Sequence, residues 1–310
     1  MLNVSDLEFI IPCGGKSSRN YPHSKGIAHK SLLPFGDGRL IDFILQEIIS
    51  IGGRHITIVC SSDDVIDIFK EALKTDTQTE EKLRIKGLAA IADAIRRTFL
   101  PEQIDLKFAI QEKPLGTAHV LALAHRLSPN RHGVMIFPDD IIVSENRNNT
   151  YLKRMVDAFL TDPTQILLYG VPKENVSNNA ILENNRLIEK PKNPSNFIGL
   201  YSPVILPKET LDFIEKQFCE IEKTGQMPDY LSGGEWVYVD GINAFLDAEP
   251  MNSPFHIAVI QKATDDLLLD TGTLPLYQQA QLYALLKLSK FSTENKKYAL
   301  KLLLNDLNIG

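Results

Sequence analysis

Five residues without a polar side chain, Phe9-Ile10-Ile11-Pro12-Cys13, run straight into Gly14-Gly15. A run this short, ended by turn residues, reads as a strand, and the lack of polar alternation makes it a strand buried on both faces. Such strands need helices above and below. Similar runs recur at 55–60, 108–110, 134–137 and 166–171. Between them, apolar residues return at helical spacing. Leu40, Ile41, Ile44, Leu45, Ile48 and Ile49 form one stripe over 40–51, and Gly52-Gly53 closes it. Further helices are predicted over 65–73, 116–127 and 151–160. This alternation argues for an α/β fold with a parallel, doubly wound sheet covered on both faces.

After about residue 171 the register loosens. Short strands at 186–188, 197–202 and 255–260 mix with helices at 208–221 and 238–246. Helices over 274–288 and 293–307 follow. The segment 75–97 reads as a polar surface helix or flap, with Glu80, Glu81, Lys82, Arg84 and Lys86 solvated. There is no internal repeat and no run of hexapeptide repeats, so an appended β-helix is not expected.

The 310 residues are 44% hydrophobic and 23% charged, enough for a sizeable core. The net charge of −6 disfavours non-specific nucleic-acid binding, which needs clustered Lys and Arg. No stretch reaches the ~18 apolar residues of a membrane helix. The first residues lack the basic start and apolar run of a signal peptide. Three unpaired cysteines, Cys13, Cys60 and Cys219, suit a reducing, cytoplasmic setting and offer no metal site.

The strand-ending glycines lead into Ser17-Ser18-Arg19, and Lys30 follows eleven residues after Arg19. Glycine lets a backbone approach an anion, arginine grips phosphate bidentately, and lysine supplies a point charge. This reads as a polyphosphate site; a ligand-free tight turn is the alternative. A dinucleotide fingerprint is excluded because Ser17 and Asn20 stand where its later glycines belong. A P-loop is excluded because Ile10 stands at its first glycine. Gln111, just after a strand, can donate and accept at once, which suits a pyrimidine edge, and Gly116 would let the base lie on the backbone. Asp139, in Pro138-Asp139-Asp140, sits at a strand's carboxyl end, where α/β sheets bind ligands. One or two such carboxylates commonly hold a nucleotide's magnesium. Asp270 is either a helix-start residue or a second metal ligand. Glu189-Lys190-Pro191 could hold a second phosphate. Taken singly, each of these segments is also an ordinary turn.

In this order, Gly14-Gly15-x-Ser17-Ser18-Arg19, Lys30-x-x-Leu33-Pro34, Gln111 with Pro114-Leu115-Gly116, Pro138-Asp139, Glu189-Lys190-Pro191 and Asp270-Thr271-Gly272 resemble the sugar-1-phosphate nucleotidylyltransferases. Bacterial UTP–glucose-1-phosphate uridylyltransferases look nearest, with glucose-1-phosphate thymidylyltransferases next. The resemblance runs from about Phe9 to the helix after Asp270. It implies a Rossmann-like, doubly wound mixed sheet with a sugar-binding subregion in the second half and C-terminal helices. It also implies one nucleotidyltransferase domain over 1–310: a nucleotide half to about 171, a sugar half over about 172–272, then helices. The implied reaction transfers UMP from UTP to a sugar 1-phosphate, glucose 1-phosphate first, and releases pyrophosphate. The implied partners are those two substrates, without nucleic acid or membrane; whether copies assemble stays open. Gly14, Gly15, Gln111 and Gly116 would hold base and ribose. Arg19 and Lys30 would hold the triphosphate, and Asp139 and Asp270 would hold Mg²⁺. Glu189, Asn179 and Glu235 would face the sugar, and Lys190 its phosphate. Two departures stand out: serines at 17 and 18 where the family has glycine and threonine, and Asn178-Asn179 where it has a Tyr-Gly pair. A different nucleotide or sugar, or an inactive nucleotide-binding homologue, are the rival readings. The completeness of the charged set argues against the last.

Overall fold

The structure is a computed structural model and describes residues 2–231 and 234–306. Its strands are β1 (Leu7–Cys13), β2 (Pro34–Phe35), β3 (Gly38–Arg39), β4 (His55–Cys60), β5 (Asp105–Ile110), β6 (His132–Met135), β7 (Asp140–Ser144), β8 (Gln165–Pro172), β9 (Ala180–Glu183), β10 (Arg186–Glu189), β11 (Ile198–Leu206), β12 (His256–Gln261) and β13 (Asp266–Asp270). Its helices are α1 (Leu40–Ser50), α2 (Asp63–Ala72), α3 (Thr77–Ile85), α4 (Ala89–Arg96), α5 (Thr117–Leu127), α6 (Tyr151–Thr161), α7 (Lys208–Thr224), α8 (Tyr238–Ala248), α9 (Leu274–Tyr283) and α10 (Ser292–Asp306). Residue 307, where the last predicted helix was to end, lies outside the described residues.

The main sheet runs β12-β8-β11-β6-β1-β4-β5. Strands β6, β1, β4 and β5 are mutually parallel, and β12 is parallel to β8. Strand β11 is antiparallel to both neighbours, so the sheet is mixed. This is the mixed sheet that the resemblance implies, and the parallel arrangement read from the alternation holds for β6, β1, β4 and β5. A parallel return needs a crossover of a dozen or more residues, usually a helix. Between β8 and β11 the chain forms the β9–β10 hairpin instead, and so comes back antiparallel.

Alternate residues of β1 enter two cores. Leu7, Phe9 and Ile11 join α1, α2 and α6 on one face; Ile10 joins α5, α7 and α8 on the other. Both faces are therefore covered, as an unbroken apolar strand requires. Gly53 has a packing reason: a Cβ there would lie 2.5 Å from Ile48 and 2.7 Å from Phe9. The segment 75–97 differs from a merely solvated flap. Glu80 is buried and takes both Arg84 and Arg96, while Asp93 takes Arg84 and Lys290. Helices α3 and α4 are thus clipped together and to the C-terminal segment by charge. Among the described residues, no helix is long and apolar enough to cross a membrane.

Candidate active site

The site opens where the sheet loses a strand. Ile10 O accepts from Ile136 N, and pairing with β6 ends there. Pro12, two residues on, faces the same side. Its missing N–H therefore leaves no ladder bond unmade, and a crevice begins beyond it. Gly14 and Gly15 line that crevice with Lys16, Arg19, Lys30, Gln111, Gly116, Asp139, Glu235 and Gly272 around a cavity of about 440 Å³.

Ser17 turns the loop with φ of +54°. A non-glycine residue in that conformation costs roughly 1–2 kcal/mol. Two hydrogen bonds offset it: Lys30 N donates to Ser17 Oγ at 2.8 Å, and Ser24 Oγ donates to Ser17 O at 2.7 Å. The serine that departs from the family pattern thus ties the Lys30 segment back to the loop. Next to it, Ser31 N donates to the buried His29 Nδ1 at 3.2 Å. Burial, then the charge of Lys30, pushes the His29 pKa down to about 3, so the ring is neutral. Lys30 is only 14% exposed and ends 2.5 Å from Asp139 Oδ2.

Asp139 and Asp270 meet, by a route that differs from adjacent strands each ending in a carboxylate. Asp270 closes β13, which pairs antiparallel with β7 in a small separate sheet, opposite Asp140. Asp139 immediately precedes β7, and its carbonyl accepts from Thr271 N at 2.9 Å and from Thr271 Oγ1 at 3.2 Å. A point beside Gly272, where a Cβ would sit, is 3.0 Å from Asp270 Oδ1, 3.2 Å from Asp139 Oδ2 and 3.9 Å from Arg19 Nη2. The two oxygens are therefore separated by no more than the sum of the first two distances. That lies inside the ~8 Å that two Mg–O bonds and side-chain mobility span. Two hard oxygens in reach of one point fit a small divalent cation that takes its remaining ligands from phosphate and water. Among the described residues, no group of three or more His, Cys, Asp or Glu forms a closed metal cage. Beside them, burial and then the charge of Asp139 raise the Asp140 pKa to about 7, against the pull of a 3.0 Å hydrogen bond from Ser202 N.

A second cavity, of about 560 Å³, meets the first at Arg19, Thr117, Phe137, Asp139 and Gly272. It contains Glu189, Lys190, Asn178, Asn179, Lys173, Tyr201 and Asp270. Glu189 is partly buried, which raises its carboxyl pKa, and Lys190 Nζ lies 3.5 Å away. The Lys190 side chain is 66% exposed. Asn179 O accepts from Lys190 N at 3.1 Å.

Two residues have surroundings that the sequence did not indicate. Glu235 lines the first cavity with the glycine loop, away from Glu189, Lys190 and Asn179. Gly116 has φ of +118°, and a Cβ there would lie 2.3 Å from Trp236 O. The space beside its Cα belongs to Trp236, whose backbone bonds Leu115 and Ala118 on either side. Gln111 donates Nε2 to Gly116 O at 2.9 Å, while its Oε1 faces Gly14. Sequence reasoning assigned no role to Thr271, Trp236, Lys173 or Tyr201. The one tryptophan of the chain, fully buried, was the available signal for Trp236; for the others position in the fold alone reveals the role.

A mixed α/β sheet with a cleft at its carboxyl edge that carries Lys16, Arg19 and Lys30, divided between two cavities, suits an enzyme that handles phosphorylated substrates. The chain belongs to the nucleotidyl transferase family, whose model matches residues 9–274. It is 24% identical over 233 residues to a Haemophilus influenzae protein named UTP–glucose-1-phosphate uridylyltransferase, covering 68% of this chain and 76% of that one. A Streptococcus pyogenes serotype M1 protein named UTP–glucose-1-phosphate uridylyltransferase 2 is 29% identical over 228 residues, 67% and 73% of the two chains. With the similarly named Haemophilus ducreyi protein, identity is 25% over 182 residues, and the match spans only 60% of that relative. In fold, the chain is similar to UDP-glucose pyrophosphorylase from Acinetobacter baumannii (TM-score 0.75, 19% identity, 95% of this chain and 99% of that one). A putative glucose-1-phosphate thymidylyltransferase from Bacillus anthracis shares the fold with TM-score 0.65 and 18% identity, over 90% and 95% of the chains.

Proposed function

We propose that this nucleotidyltransferase moves UMP from UTP to a sugar 1-phosphate and releases pyrophosphate. The observation that carries the reading is the meeting of two cavities at Arg19, Asp139 and Gly272. A transfer between two phosphorylated substrates needs two pockets that share one charged wall. In the first, the glycine loop and Gln111 receive the nucleotide. In the second, Lys190 receives the sugar phosphate. The sugar-phosphate oxygen attacks the α-phosphorus in line, a P–O bond forms, and the bond to the departing pyrophosphate breaks. Arg19 and Lys30 neutralise charge on the triphosphate, and positioning with preorganised charge supplies most of the rate. Mg²⁺ held by Asp139 and Asp270 would draw charge from the phosphoryl oxygens. No protein nucleophile is required. The neutral His29 acts through packing, orienting the Lys30 segment.

The relatives' names make glucose 1-phosphate the first sugar to test, and thymine differs from uracil by one methyl group. The experiment is a pyrophosphate-release screen of UTP, dTTP, ATP and GTP against several sugar 1-phosphates with Mg²⁺. UTP-dependent release that requires the sugar phosphate is expected. No turnover with any pair would sink the reading.

A further inference from the structure

The second cavity is lined by three cations, Arg19, Lys173 and Lys190, and four carboxylates, Asp139, Asp140, Glu189 and Asp270, and Lys173 stands apart from the carboxylates. Lys173 follows β8, its backbone N fixed by Phe197 O at 2.9 Å. Its Nζ donates to Tyr201 Oη at 2.6 Å and to Asn179 Oδ1 at 3.2 Å, and stands 5.2 Å from the Tyr201 ring centre. Among the described residues it has no carboxylate partner. An ammonium has three protons, so one remains. Tyr201 Oη already accepts from Lys173, which leaves its own O–H to donate. Asn179 Nδ2 has no acceptor among the described residues. These three donors line one wall.

Each carboxylate of the same cavity already has one donor or cation beside it, Asp139 through Lys30. Glu189 faces Lys190, Asp140 Oδ2 accepts from Ser202 N, and Asp270 Oδ1 accepts from Gly272 N. An adjoining cavity of about 400 Å³ shares Lys173, Tyr201, Asp270 and Leu276, and adds Lys262, a second lysine without a carboxylate partner among the described residues. A ring hydroxyl both donates and accepts, so a wall built for one would mix the two roles. A carboxylate only accepts. We infer that the sugar this enzyme takes bears a carboxylate, received by Lys173, Tyr201 and Asn179: a uronic acid 1-phosphate or a close relative.

The inference rests on the sugar-1-phosphate reading above. It is tested by kcat/KM with UTP for glucuronic and galacturonic acid 1-phosphates against glucose and galactose 1-phosphates and glucose 1,6-bisphosphate. The carboxylated sugars should lead their neutral counterparts by about tenfold to a hundredfold, the usual weight of a hydrogen bond to a charged group. Lys173→Gln should bring that ratio toward one, and Lys173→Arg should keep most of it. Should Lys173→Gln not fold, Asn179→Asp sets a like charge in the same wall and should lower the ratio too. Equal or better use of neutral hexose phosphates overturns the inference and leaves the nucleotidyltransfer reading standing. So does a Lys173→Gln effect equal on both substrate types. Preference for the bisphosphate overturns the carboxylate. No turnover with any sugar phosphate overturns both.

Discussion

Lys30 and Lys190 each face a phosphate in the proposed reaction, yet they are built differently. Lys30 follows a 3₁₀-capping histidine, is almost enclosed, and rests on Asp139 at 2.5 Å. Lys190 projects from the end of a two-strand hairpin, is mostly exposed, and meets Glu189 only at 3.5 Å. The nucleotide side is thus arranged before any substrate arrives, whereas the sugar side leaves its cation for the ligand to order. Preorganised charge lowers a barrier because no reorganisation is needed at the moment of reaction. A flexible cation gives binding but loses side-chain entropy when it engages. The nucleotide edge should therefore act mainly on kcat and the sugar edge mainly on KM.

The sharpest test removes the junction of the two regions. Asp139→Asn and Asp270→Asn should each lower kcat by about a thousandfold while circular dichroism stays unchanged, and chelating the divalent ion should do the same to the unaltered protein. Retained activity in either variant would separate that carboxylate from the metal. Next comes Gly116→Ala, which drives a Cβ into the Trp236 backbone at a φ that L-residues avoid. Overpacking and backbone strain should cost about 2–4 kcal/mol of stability, read from urea unfolding. An unchanged midpoint would mean that the Leu115–Trp236 contact is loose.

The lysine comparison itself is broken or sharpened by two alanine variants. Lys30→Ala should cost about 2–3 kcal/mol of transition-state stabilisation, seen in kcat. Lys190→Ala should cost about 1–2 kcal/mol, less because solvent screens an exposed cation, and should appear as a raised KM for sugar phosphate. Identical kinetic signatures would erase the distinction between the two edges. At neutral pH the smallest effect concerns His29. Its folded pKa, about 3, lies below the ordinary 6.5, so between those values the unfolded chain binds a proton that the folded one refuses. Stability contributed by the neutral ring is present above pH 6.5 and declines as pH falls toward 3, by up to about 1.4 kcal/mol per pH unit. His29→Asn keeps a capping acceptor and should flatten that slope in pH-dependent unfolding.

Strands and helices buried on one pattern were legible, because their periodicity is written in consecutive side chains. Phe9 to Cys13 and the stripe from Leu40 to Ile48 needed nothing else. Strands β7 and β9 were not read as strands, since short segments carry little periodic signal. Glu80 looked like a solvated charge, and only the approach of Arg84 and Arg96 shows why it is buried.

What the sequence determined by itself is the α/β alternation, the order of the charged motifs and hence the family. These depend on residue type and spacing along the chain, which local physics translates directly. The tertiary structure decided the rest. It reversed β11 through a hairpin and brought Asp270 against Asp139 through pairing of distant segments. It also gave Gly116 to Trp236 and gathered Lys173, Tyr201 and Asn179 on one wall. Each of these is a contact between residues remote in sequence, and side-chain spacing along a strand or helix carries no information about which remote element will pack against it.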